Sequence, residues 1–223
     1  MKQIFSSILI LALVLSLAAC GSKAANNGEA QSAPAETANP EPAQTPTPEA
    51  SPADESAAPA DSESDGGKIL VAYFSWSGNT ETLAGMIQES TGGDLFAIAP
   101  ETPYTDDYNE LLDVAQSEQR DNARPALAAQ VENWDEYDTI FVGYPNWWGD
   151  TPMLILSFLE SYDCTGKTIV PFATSGGGGF GRGLDSIAVS APGAEILEGF
   201  HVSGSSVDNA AGDVTAWIDG LGL

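Results

Sequence analysis

Apolar residues divide this chain into two regimes. Between residues 22 and 67 there is no Val, Ile, Leu, Phe, Trp or Tyr, whereas from residue 68 onward short apolar blocks alternate with stretches whose apolar positions recur every three or four residues. A short apolar block reads as a buried parallel strand, and the three-to-four spacing reads as a helix with one face on a core. Lys68–Phe74 is therefore a strand, Asn79–Thr91 a helix with Leu83, Met86, Ile87 and Ser90 on one stripe, and Asp94–Ala99 a second strand. Tyr108–Asp121 follows as an amphipathic helix bearing Leu111, Leu112 and Ala115. Thr139–Tyr144 is a third strand, and Pro152–Ser161 is a helix whose proline suits a first turn. Thr168–Thr174, Phe180–Val189 and Ala194–Phe200 read as a fourth strand, a short helix after a glycine run, and a fifth strand. The last helix is the plainest, with Val207, Ala210, Ala211, Val214, Trp217, Ile218 and Leu221 at helical spacing.

This alternation predicts an α/β fold: a doubly wound five-stranded parallel sheet with helices on both faces, a three-layer α/β/α sandwich. In such sheets ligands bind beyond the carboxyl ends of the strands, at the point where strand order reverses.

The segments before residue 68 do other work. Met1–Cys20 carries Lys2, an apolar run from Ile8 to Leu17, and then Leu17-Ala18-Ala19-Cys20. That is a signal-peptide core ending in small residues, too short to make a comfortable membrane span. Cys20 directly after Leu-Ala-Ala resembles a bacterial lipoprotein box, which implies cleavage before Cys20, lipidation of its sulfur and an extracytoplasmic location; the alternative is an ordinary signal peptide with an incidental Cys. Residues 21–67, rich in Ala, Pro, Glu and Ser, cannot bury enough apolar area to offset the entropy of ordering them. They read as a disordered tether with a root-mean-square reach of roughly 35–40 Å if flexible. The folded domain is then 68–223.

Charge narrows the choice of partners. The 223-residue chain holds 32 acids and 7 Lys and Arg; nine of the acids and two of the bases precede residue 68, leaving 23 acids and five bases on the domain, a formal charge near −18. That sign excludes nucleic acid and disfavours an anionic membrane surface, so membrane attachment falls to the lipid. Most of the acidity serves solubility; docking onto basic partners is the sharper reading. Cys164 is the domain's one thiol and His201 its one imidazole, which argues against a disulfide, a zinc site or a haem site.

Three loops follow the carboxyl ends of the first, third and fourth strands. The first, Ser75-Trp76-Ser77-Gly78-Asn79-Thr80, clusters hydroxyls and a glycine at a strand-to-helix turn, where backbone N–H groups and the helix dipole favour an anion. It contains no Lys or Arg, so it suits a phosphate monoester held by neutral donors and is not a Gly-Lys-Ser/Thr triphosphate loop. The second, Pro145-Asn146-Trp147-Trp148-Gly149, sets two tryptophans on a loop tip, able to stack on a flat ring. One of the two is expected to pack beneath the sheet edge, and the residues leave open which. The third, Thr174-Ser175-Gly176-Gly177 with Gly178 and Gly179, lets backbone approach a ligand closely, or is a flexible connector.

The first loop resembles the Ser/Thr-rich, glycine-containing FMN phosphate loop of the flavodoxins. The likeness extends through Pro103-Tyr104, Tyr108-Asn109-Glu110, Asn122-Ala123-Arg124-Pro125 and Pro145-Asn146-Trp147-Trp148, which look like one flavodoxin-like subfamily that includes lipoproteins. The resemblance implies FMN as cofactor, with Ser75, Trp76, Ser77, Gly78, Asn79 and Thr80 around the phosphate and ribityl chain. It places Pro145, Asn146, Trp147, Trp148 and Gly149 along the isoalloxazine, and Thr174, Ser175, Gly176 and Gly177 on the ring's other side. It implies electron transfer to redox partner proteins or small-molecule acceptors, with an NAD(P)H-fed quinone reductase and a flavin-capturing surface lipoprotein as alternatives. No acid–base dyad, nucleophile or metal cluster is required, so no residue is assigned as catalytic. Many flavodoxins stack a Tyr from the third loop on the outer ring face; here no aromatic residue precedes Phe180. Arg124 reads as a structural ion-pairing residue. His201 reads as surface or partly buried, with a proton donor to reduced flavin or quinone as the alternative.

Overall fold

The computed structural model describes residues 67–223; the expected signal peptide, lipidated Cys20 and all but the last residue of the tether lie outside them. Among the described residues no helix is long and apolar enough to cross a membrane. The chain runs β1 (Lys68–Tyr73), α1 (Asn79–Thr91), β2 (Asp94–Ala97), α2 (Tyr108–Asp121), β3 (Tyr137–Pro145), α3 (Met153–Glu160), β4 (Thr168–Ser175), α4 (Gly183–Ser190), β5 (Glu195–Ile196), β6 (Phe200–Ser203) and α5 (Ala211–Leu221). A 3-10 turn, Gly204–Asn209, joins β6 to α5.

All strand pairs are parallel, in the order β2-β1-β3-β4-β5, with β6 also on β4. The order reverses between β1 and β3, and the sheet is the doubly wound one that the alternation predicts. Side chains alternate across it. Leu70, Ile140 and Ile169 join a core containing Leu154, Phe158 and Ile187 of α3 and α4. Val71, Phe141 and Val170 join one with Leu83 and Ile87 of α1 and Val214 of α5. The interiors of β1, β3 and β4 are thus buried on both faces, which is why these three read as apolar runs.

The fifth strand departs from expectation. Ala194–Phe200 is not one strand: β5 ends at Ile196 and β6 begins at Phe200. Ile169 opposes Ile196 and Phe172 opposes Phe200, so the edge uses one residue more than β4 over the same span. Leu197 N–H donates to the Ile169 carbonyl, which places the backbone groups of alternate residues 169, 171 and 173 toward the edge. Residue 171 is proline and has no N–H to offer, so the ladder breaks opposite it. Gly199 crosses this gap, where a Cβ would stand 2.8 Å from the Pro171 carbonyl oxygen and 2.7 Å from the Phe180 ring. Smaller differences are that β2 stops at Ala97, that α4 starts at Gly183 rather than Phe180, and that Val207, expected on the last helix, lies in the 3-10 turn before α5.

Candidate functional site

The three loops meet. A cavity of about 830 Å³ opens at the carboxyl ends of β1, β3 and β4, within the range typical of small-molecule sites. Trp76, Ser77 and Asn79 reach it from the first loop, Pro145, Asn146, Trp147 and Trp148 from the second, and Thr174, Ser175 and Gly176 from the third. Ser75, Gly78, Thr80, Gly149 and Gly177 do not line it; they hold the loops that do.

The first loop is held from within. Gly78, at φ 87°, turns the chain into α1, and its N–H donates to Ser75 Oγ at 3.1 Å. No side chain caps α1, so the N–H groups of its first turn stay available. Asn79 Nδ2 donates to Ser77 Oγ at 3.3 Å, which orients both polar groups at the cavity edge. Thr80, 1 % exposed, shares its hydroxyl with Thr174, 3 % exposed, at 2.9 Å, tying α1 to the end of β4.

The second loop ends in a tight turn. Trp147 and Asp150 exchange both backbone hydrogen bonds, at 3.0 and 3.1 Å, around Trp148 and Gly149. These central residues have φ 52° and 74°, the left-handed pair of a type I′ turn. Glycine adopts that conformation freely, whereas tryptophan does not. Trp147 turns inward, its ring edge-on to Phe74 and Tyr104 with centroids 5.2 Å away in each case. Trp148 is 50 % exposed, with its Nε1 donating to the Leu112 carbonyl at 3.0 Å. This answers which tryptophan packs beneath the sheet edge.

Asn146 joins the second and third loops. Its Nδ2 donates to the Gly179 carbonyl at 2.6 Å, its backbone N–H to the Thr174 carbonyl, and its Oδ1 accepts from the Gly149 N–H. Arg182 N–H donates to the Gly149 carbonyl at 2.8 Å, and a Cβ on Gly181 would collide with that same oxygen. The glycine run is thus a braced loop.

Two walls went unread in the sequence. Tyr108, Leu111, Leu112 and Ala115 of α2 form one side of the cavity. Tyr108 is 59 % exposed, and its ring lies 6.1 Å from that of Trp76, whose Nε1 donates to the Thr105 carbonyl. Ser203, Gly204 and Ser205 form another wall, beyond β6. The strand-end rule applied to the fifth strand would have found these hydroxyls. Tyr108 had a weaker signal: an aromatic residue at a helix start, three and seven residues before Leu111 and Ala115 and so on the same stripe.

The electrostatics are one-sided. Among the described residues every Lys and Arg is engaged: Lys68 with Asp94 and Glu136, Arg120 with Asp121, Arg124 with Glu160 and Arg182 with Asp150. Lys167 donates to the carbonyls of Trp134 and Tyr137. None lines the cavity. Arg124 grips Glu160 through Nε and Nη2 at 2.6 and 2.8 Å and bonds to the Asn122 and Ala123 carbonyls, joining the end of α2 to α3 as an ion-pairing residue should. Beneath the second loop, burial raises the Glu118 carboxyl above the ordinary carboxylate range while the Tyr104 hydroxyl donates to it at 3.0 Å, and burial together with that carboxylate drives the Tyr104 phenol far upward.

A family model described as flavodoxin matches residues 68–221. The chain belongs to the flavodoxin family. A candidate flavoprotein of Bacteroides eggerthii is 36% identical, with 70% of this chain and 99% of that one aligned and a TM-score of 0.60. Another, from Bacteroides uniformis, is 36% identical over 69% of this chain and 99% of its own, with a TM-score of 0.59. A flavoprotein of Lactobacillus acidophilus, solved in complex with FMN, shares the fold at 24% identity, covering 64% and 97% of the two chains with a TM-score of 0.53. No curated protein matches the sequence. In this flavodoxin the helix N-terminus and neutral hydroxyls lie at one part of the cavity and the aromatic and aliphatic groups at another, a donor set that fits a phosphate joined to a flat ring.

Proposed function

We propose that this flavodoxin holds FMN in the cavity and carries electrons for partners outside the cytoplasmic membrane, where a lipid on Cys20 anchors it. The observation that supports this best is the convergence of three loops on one cavity with an uncapped helix N-terminus and no cation. Ser77, Asn79 and the first-turn N–H groups of α1 receive the phosphate through neutral donors, on a loop that Ser75 holds from within. Trp76, Tyr108 and the apolar side of α2 enclose the rest, and Trp148 flanks the ring. Asn146 and Gly176 bring backbone to the cavity, and Gly176 does so without a side chain in the way. FMN supplies the reversible electron-accepting chemistry, and the protein binds, orients and tunes it. The domain's charge near −18 disfavours adding electrons to the ring, so the bound potential falls below that of free FMN.

Electron donors and acceptors are redox proteins or small molecules that approach the exposed Trp148 and Tyr108. A carrier is favoured over an NADPH-fed reductase because no described Lys or Arg lines the cavity to take a 2′-phosphate. The tether of residues 21–67 gives the domain reach from the membrane.

The test is an absorbance spectrum of the purified protein before and after FMN addition and desalting. Retained flavin bands with quenched fluorescence support the reading; a colourless protein that releases added FMN overturns it. Oxidation of NADH or NADPH by the holoprotein with a quinone would identify a reductase instead. Membrane release on Cys20→Ala, with loss of the lipid mass from the mature N-terminus, tests the anchor.

A further inference from the structure

His201 is the protein's single histidine. It lies on β6 opposite Ala173, with Nε2 2.8 Å from Ser175 Oγ and its ring edge-on to Phe180 at 6.1 Å. Ser175 stands on the cavity wall, and its Oγ accepts from the Gly177 N–H at 3.0 Å. The charged residues on neighbouring segments are Arg182, paired with Asp150, and Asp185, Glu198 and Asp208; none bonds or ion-pairs with the imidazole. Burial alone depresses its proton affinity.

A serine hydroxyl has one proton to place. With the Gly177 N–H already pointing at Ser175 Oγ, the imidazole decides where that proton goes. Neutral His201 protonated on Nδ1 accepts it at Nε2, and Ser175 then turns only a lone pair to the cavity. Protonated His201 donates from Nε2, and the serine proton must find an acceptor in the cavity. We propose that His201 is a positioning residue for the cofactor site, acting through Ser175 to set whether the Gly-rich loop offers bound flavin an acceptor or a donor. This rests on the FMN reading of the cavity. No bond to carbon forms or breaks; one proton enters the imidazole from solvent and one hydroxyl turns.

The single histidine makes the test clean. Nitrogen-15 NMR of the full chain gives the tautomer of His201, and FMN fluorescence quenching from about pH 5 to 8 gives affinity for the wild type, His201→Gln and Ser175→Ala. The expected tautomer carries its proton on Nδ1 at neutral pH. The expected affinity gain toward acid is about threefold larger in the wild type than in either variant, because proton uptake and ligand binding are linked. Glutamine keeps a donor and an acceptor at similar reach without titrating, so tight binding that lacks the histidine's share of the pH response separates this role from mere packing. The FMN phosphate titrates near pH 6 as well, but equally in all three proteins. A proton on Nε2 in the neutral form, or identical pH profiles for the wild type and His201→Gln, would overturn the proposal. Failure of all three proteins to hold FMN would overturn the cofactor reading instead.

Discussion

Trp148 offers a test in which the usual ranking of two small residues should invert. It occupies the first central position of the turn that closes the second loop, at φ 52°. For an L-residue that region costs roughly 1–2 kcal/mol, and glycine escapes the cost. Trp148→Gly and Trp148→Ala both remove the half-exposed ring and its hydrogen bond to the Leu112 carbonyl. They differ in backbone. At an ordinary site alanine is more stable than glycine, by about 0.5–1 kcal/mol in regular structure. Here the glycine variant should be the more stable, by about 1 kcal/mol, because alanine inherits the left-handed strain. Urea unfolding of the apoproteins reads this directly as a shift in midpoint at unchanged slope. FMN affinity should fall alike in both variants, by about 1–2 kcal/mol or roughly five- to thirtyfold, since each loses the same ring contact. An alanine variant equal to or more stable than the glycine variant would refute the strained turn. Undiminished FMN binding in both would refute the ring's place beside the cofactor.

Other outcomes follow from the same geometry. Thr174→Val leaves the buried Thr80 hydroxyl without a partner and should cost about 1–3 kcal/mol, whereas the Thr80→Val/Thr174→Val double variant should recover most of it; additive losses in a thermal-melt cycle would count against the pair. FMN binding should tighten as salt rises from low to moderate ionic strength, because a dianionic phosphate meets an acidic domain with no cation at the site, and a quenching titration that weakens with salt would contradict this. Glu118 has a raised folded-state pKa, so the stability it contributes is fully present below its unfolded value and is lost as pH rises through the folded one. Glu118→Gln, which keeps an acceptor for the Tyr104 hydroxyl, should flatten the fall in melting temperature across that window above the usual carboxylate range; an unchanged slope would exclude Glu118 as its source.

Much of the fold was legible because its signals are local. The apolar runs of β1, β3 and β4 state their burial in their own residues, and the stripe of α5 states which face packs on the core. The split fifth strand was not legible, because its cause is Pro171 on the neighbouring strand, brought opposite only by folding. The three site loops could be read because Gly, Ser, Thr and Trp cluster at strand ends. The division of labour within them could not: that the Thr80 hydroxyl pairs with Thr174 and that the Asn146 side chain braces two loops depends on contacts made only by folding. The α2 wall was hidden by the double use of one helix, whose Leu111 and Ala115 serve both the core and the cavity.

The broken edge beside β4 has a consequence beyond the site. A sheet margin normally offers neighbouring molecules a row of free backbone donors and acceptors. Here the row comes as two short pieces, Glu195–Ile196 and Phe200–Ser203, out of step by one residue. The opposite margin, β2, is four residues long, with Asp94 at its start held by Lys68 and Tyr137. A foreign strand docking on either side would find few bonds in register, so neither margin favours edge-to-edge pairing.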